Sequence, residues 1–162
     1  MAFVVHRIVG LAYGLGRRDV AFLESDEYAE INAWAVFLEL NDKRQKEMLD
    51  RFDLWKRTDV HHAKYHHGFN APPDCRDCHV FKRREGRIRY RYYGFKTHPW
   101  TNARYELCVL VNHGQKNQEE TDPAELRTVN RYKDRPDVAQ AILTAFPDPG
   151  GGANVTLYVG RR

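Results

Sequence analysis

Val80-Phe81-Lys82-Arg83-Arg84-Glu85-Gly86-Arg87-Ile88-Arg89-Tyr90-Arg91-Tyr92 reads as two strands folded back around a tight turn. Glu85-Gly86 supplies a two-residue hairpin signal between strands expected at Cys78–Arg84 and Arg87–Phe95. With that dipeptide at the tip, Arg84 faces Arg87, Lys82 faces Arg89 and Val80 faces Arg91. Directly opposed residues point to the same side of a sheet. Lys82, Arg84, Arg87, Arg89 and Arg91 therefore share one face, and Phe81, Ile88, Tyr90 and Tyr92 share the other, the expected core face. Like charges opposite one another destabilise a sheet, so an unrelieved cation ladder points to an anionic partner. Arginine binds phosphate in a bidentate way and stays charged at any working pH. The plainer alternative is a solvated charged face.

The rest of the chain is consistent with one soluble domain. Its 162 residues, 42% hydrophobic, suffice for a single core over 1–162. Net charge is +4, and the excess is local: Lys82 to Lys96 contains seven Lys or Arg and one acid. A cation excess of that kind suggests a polyanion such as RNA. No run reaches the ~18 apolar residues of a membrane span. Ala2–Leu15 is mildly apolar, but Gly10, Gly14, His6 and Arg7 break it, so it reads as mature protein. The odd count of three cysteines suits reduced thiols and a cytoplasmic setting. Cys108 reads as a small core residue.

Upstream, Asp19–Glu24 reads as a strand. Ser25 reads as the cap of a helix with Asp26 and Glu27 in its first turn and Ile31, Trp34, Ala35 and Leu38 on one stripe. Asn41 reads as the cap of a second helix with the stripe Met48, Leu49, Phe52 and Trp55. Asp59–Asp77 lacks either period and reads as a long loop. Downstream, Tyr105–Asn112 is apolar on both faces, as a doubly covered central strand should be. Asp122, Pro123 and Glu125 are start signals for a third helix ending before Pro136. Asp137–Phe146 suggests a further short helix, Pro147–Gly152 a linker, and Asn154–Val159 an edge strand.

The order of elements resembles the RelE/HigB toxin superfamily, in particular its phage-associated HigB-like branch. The resemblance rests on three places: the strand–helix–helix opening, the hairpin with Val80-Phe81-Lys82 and Tyr90-Arg91-Tyr92, and Leu110-Val111-Asn112-His113-Gly114-Gln115-Lys116-Asn117 followed by Thr121-Asp122-Pro123-Ala124-Glu125-Leu126. It covers roughly residues 20–135 and leaves a tail over 136–162. It implies an α+β, RelE-like fold, with an antiparallel or mixed central sheet, an N-terminal helical hairpin and a C-terminal helix. It further implies metal-independent mRNA cleavage, often on the ribosome, restrained by a cognate antitoxin, with no cofactor. Lys82 and Arg91 match the family's strand cations and Lys116 its basic turn. Arg89 joins them by geometry. His113 is the candidate acid or base, with a pKa ordinarily near neutrality. Arg84, Arg87 and Lys96 are expected to bind RNA.

A His/Cys-rich segment at about 59–78 adds a second possibility. His62 and His66 have helix-neighbour spacing, and Cys75 and Cys78 have zinc-knuckle spacing, so a structural zinc on these four is conceivable. Otherwise the segment is an RNA- or ribosome-facing loop, with Tyr65 or Phe69 available for stacking. Three functions remain open from sequence: the mRNA endoribonuclease toxin, a non-catalytic RNA- or protein-binding module with or without zinc, and a gyrase-inhibiting toxin of the same fold.

Overall fold

The computed structural model describes residues 2–11, 17–57, 65–68, 77–116 and 123–150. Six strands form one mixed sheet: β1 (Phe3–Arg7), β2 (Arg18–Ser25), β3 (His66–Gly68), β4 (Cys78–Glu85), β5 (Ile88–Thr97) and β6 (Glu106–Lys116). Their order across the sheet is β1-β2-β6-β5-β4-β3. Only β2 and β6 run parallel; the other neighbouring pairs are antiparallel.

Helices cover both faces. On one lie α1 (Ala33–Glu39) and α2 (Asp42–Arg57), over Val20, Phe22, Phe81, Tyr92, Cys108 and Leu110. On the other lie α3 (Pro123–Lys133) and α4 (Pro136–Ala145), over Ala21, Leu23, Val80, Tyr93, Leu107 and Val109. Residues 107–111 of β6 thus alternate between two cores, which is why that strand is apolar on both faces. The α+β class with a mixed sheet agrees with the sequence reading.

Helix placement differs from it. Ser25 Oγ accepts hydrogen bonds from the backbone N–H groups of Glu27 and Tyr28, both at 3.1 Å. Those bonds close a turn, and no helix follows until Ala33. With the start delayed, Ala33 and Phe37 face the core, while Leu38 is 54% exposed. The second helix is as expected: Asn41 Oδ1 accepts from the Arg44 N–H at 2.9 Å, and Met48, Phe52 and Trp55 are buried. The third helix ends before Pro136 and the short helix expected at 137–146 follows as α4, with Val138, Ala141 and Ile142 buried; only the single C-terminal helix implied by the RelE-like fold differs. Strand β1 was not anticipated. Asp122 and Asn154–Val159 lie outside the described residues. No helix among the described residues is long and apolar enough to cross a membrane.

Candidate nucleic-acid interface

The β4–β5 hairpin turns one residue later than its sequence suggests. Glu85 pairs with Ile88, leaving Gly86-Arg87 as the loop. Gly86 has φ +58°, the left-handed region that the first central residue of this kind of turn needs and glycine adopts without strain. The pairs become Arg84↔Arg89 and Lys82↔Arg91. Because each partner moves by two, the face assignment survives. Lys82, Arg84, Arg89 and Arg91 follow Cys78 and Val80, and Phe95 and Tyr93, onto the side covered by α3. Arg87 becomes an exposed residue of the turn.

Along this face the cations differ in access. Arg84 is exposed, its Nε donating to the Gly86 carbonyl at 2.7 Å. Lys82 and Arg89 are half-buried, and Arg91 is only 3% exposed. The backbone of Lys116 pairs with Arg89, and Gly114 pairs with Arg91.

Strand β6 carries a register shift against Tyr93/Gly94 of β5. Below it Gly94 pairs with Leu110; above it Tyr93 pairs with Asn112, so Val111 is the extra residue. A bulge of one residue exchanges which side chains face which side. Without it, His113 would follow Val109 and Val111 onto the α3 side. With it, Asn112 and Gly114 take that side and His113 joins Tyr92 on the α1/α2 side.

Asn112 confirms the new phase, because its Nδ2 donates to Glu125 Oε2 at 2.7 Å and to the Glu125 carbonyl at 3.3 Å. Glu125, in the first turn of α3, rests over Gly114: a Cβ built there would stand 3.4 Å from its carboxylate. Glu125 therefore sits on the cation face, next to the position paired with Arg91.

His113 is on the wrong side to act with Lys82, Arg89 and Arg91. Its ring packs edge-on against Tyr92 at 4.6 Å and lies 6.0 Å from Tyr90. Its backbone N–H donates to Asn32 Oδ1 at 2.8 Å, tying β6 to the residue before α1. Burial, with Arg83 adding to it, lowers its pKa to about 4, so the ring is neutral near pH 7. Lys96 is also displaced from the interface. It pairs with Cys108, on the α1/α2 side, seven residues or about 24 Å along β5 from Arg89.

The opposite side of the hairpin has its own arginine, with acids around it. Arg83 Nη1 lies 2.7 Å from Glu85 Oε1 and 3.8 Å from Glu47 Oε2, and its guanidinium is 4.2 Å from the centre of the Tyr90 ring. Arg44 also bonds Glu85, and with Arg83 it holds that carboxyl below its usual range.

The four expected zinc ligands do not come together as a set. Cys78 lies on the α3 side, its thiol 3.7 Å from Asn130 Oδ1, whereas His66 pairs with Phe81 on the α1/α2 side. The sheet separates the two, so they cannot share an ion. His62 and Cys75 lie outside the described residues. Glu125 is the residue that sequence reasoning used only as a helix-start signal. Its companion glycine, Gly114, was the available clue. Compared with known proteins, the chain matches no family model, no curated sequence and no solved structure.

Proposed function

We propose that the chain binds RNA through the α3 side of the β4–β5 hairpin and cleaves it there, as an mRNA endoribonuclease of toxin type. One observation carries the reading. Lys82, Arg84, Arg89 and Arg91 stand as two directly opposed like-charge pairs on one face, with the Glu125 carboxylate at its border. Arg84, Arg87, Lys82 and Arg89 are reachable and suit the backbone phosphates of a single strand. Arg91 lies deeper, where a fixed charge acts with less solvent screening. The resemblance of the hairpin and of Leu110–Asn117 to RelE/HigB toxins supports the same reading.

In this proposal the RNA's 2′-oxygen attacks the adjacent phosphorus and the 5′-oxygen leaves, giving a 2′,3′-cyclic phosphate. The cations stabilise the charge that builds on the phosphoryl oxygens. Glu125 replaces His113 as the group that takes the 2′-hydroxyl proton, because its carboxylate stands at this face. Solvent protonates the leaving oxygen. An acidic antitoxin segment that covers the cations would hold the protein inactive.

A second reading, RNA binding without cleavage, is favoured by the removal of His113 from the face. Purified protein incubated with mRNA, free and on programmed ribosomes, separates the two. Cutting that falls at least tenfold in both Arg91→Gln and Glu125→Gln supports the nuclease. Tight binding with intact mRNA supports the module. Neither binding nor cutting removes both.

A further inference from the structure

Away from the cation face, the α1/α2 side of the β3–β4 edge buries two histidines together. His66 and His79 are each 4% exposed, and their ring centroids are 5.5 Å apart. The strand register explains the meeting: His66 pairs with Phe81 and Gly68 with His79, so the two imidazoles are diagonal neighbours on one face. Gly68, directly across from His79, puts no side chain beside it; even a Cβ there would be 3.7 Å from His79 Nδ1. The walls are aromatic, with Trp55 at 5.6 Å and Phe81 at 5.1 Å from the His79 ring.

Neither ring nitrogen of His79 has a hydrogen-bond partner among the described residues. A buried polar atom left that way costs about 1–3 kcal/mol, and such an atom in a native fold calls for a water, an ion or a function. We propose that His66 and His79 are two ligands of one divalent transition-metal ion, of which zinc is the type. Zinc–nitrogen bonds of about 2.0–2.1 Å in a tetrahedral arrangement put two imidazole centroids roughly 5 Å apart, close to the separation seen. Burial against Trp55 and Phe81 disfavours the charged form of the His79 ring, and the neutral imidazole is the form that binds a metal. The fixed charges of Lys96 and Arg18 near His79 oppose an incoming cation, so the affinity is modest for a zinc site. Two imidazoles leave two coordination positions for water or other donors. No group of three or more potential ligands converges among the described residues.

The test uses the full chain, stripped with chelator and titrated with zinc and with cobalt(II). The expected result is one equivalent bound and a Tm raised by roughly 5–10 °C at a hundredfold excess over Kd. Binding should be lost in His66→Gln and His79→Gln and kept in His67→Gln, whose side chain points to the other face with Val80. Zinc below a tenth of an equivalent with an unmoved Tm in the wild-type chain overturns the proposal, whatever the variants do. So does binding that survives in folded His79→Gln. Because the readout is metal content and Tm, the result does not depend on RNA cleavage.

Discussion

Gly94→Ala probes the backbone irregularity on which the make-up of the cation face depends. A Cβ at Gly94 would lie 2.2 Å from the Val109 carbonyl oxygen, 2.8 Å from its carbon and 2.9 Å from Leu110 Cα. All three are backbone atoms of the central strand, so no rotamer change relieves the contact. An ordinary carbon–oxygen approach is over 3 Å, so β5 and β6 must separate by roughly 1 Å, against hydrogen bonds on both sides. Overpacking of a close-packed interior costs about 1–3 kcal/mol, and a clash with backbone belongs at the upper end. For a chain of this size, about 3 kcal/mol lowers Tm by roughly 6–12 °C. Urea unfolding of wild type and Gly94→Ala measures the difference directly. Gly68→Ala is the internal control: its Cβ meets nothing closer than 3.7 Å, and the expected change is under about 1 kcal/mol. A loss under 1 kcal/mol in Gly94→Ala would refute the close approach, and with it the bulge that turns His113 away from the cations.

Two further outcomes follow from the packing. Phe22 is fully buried and meets Trp34, Phe37, Phe52 and Tyr92 at ring distances of 5.0–6.2 Å; Phe22→Ala should cost about 3–5 kcal/mol in urea unfolding. His113 has a folded pKa of about 4 against an ordinary 6.5, so below pH 6.5 the unfolded chain binds a proton that the folded chain refuses. Its contribution to stability is therefore complete above pH 6.5 and declines by up to about 1.4 kcal/mol per pH unit down to about pH 4. Unfolding free energies measured across that range should fall less steeply in His113→Gln; equal slopes would show that the ring is not held neutral.

Much of this architecture was legible in the sequence because it rests on local chemistry. The Asn41 cap, the Met48-Phe52-Trp55 stripe and the two-faced apolar run of β6 each depend on a few neighbouring residues. The cation face was legible for a different reason: moving the turn from Glu85-Gly86 to Gly86-Arg87 shifts the pairing by two, and a period of two absorbs that shift. The bulge was not legible. Val111 and Asn112 suit an uninterrupted strand, and only the approach of Gly94 to Val109 across the sheet shows why the alternation must break. His113 was misplaced by that single residue, and Glu125 was overlooked because a helix-start acid needs no further role. Ser25 misled in another way, since its hydroxyl closes an isolated turn with the same bonds it would use to cap a helix. Strand β1 has the expected in–out pattern, with Phe3 and Val5 buried and Val4 44% exposed.

RNA binding on the α3 side of the β4–β5 hairpin, as proposed, is tested most directly by its salt dependence. Among the described hairpin residues, Lys82, Arg84, Arg87 and Arg89 are the cations there with solvent access. If each neutralises one phosphate of a single strand, a log–log plot of affinity against salt has a slope of about −2.8, taking roughly −0.7 per contact. Fluorescence anisotropy on a labelled single-stranded RNA, with cleavage blocked by 2′-deoxy substitution, gives that slope. The double variant Arg84→Gln/Arg89→Gln should flatten it by about 1.4, while Arg57→Gln, on α2 beside Asp53, should leave it unchanged. An unchanged slope in the double variant, or equal flattening in Arg57→Gln, would contradict the assignment of this face.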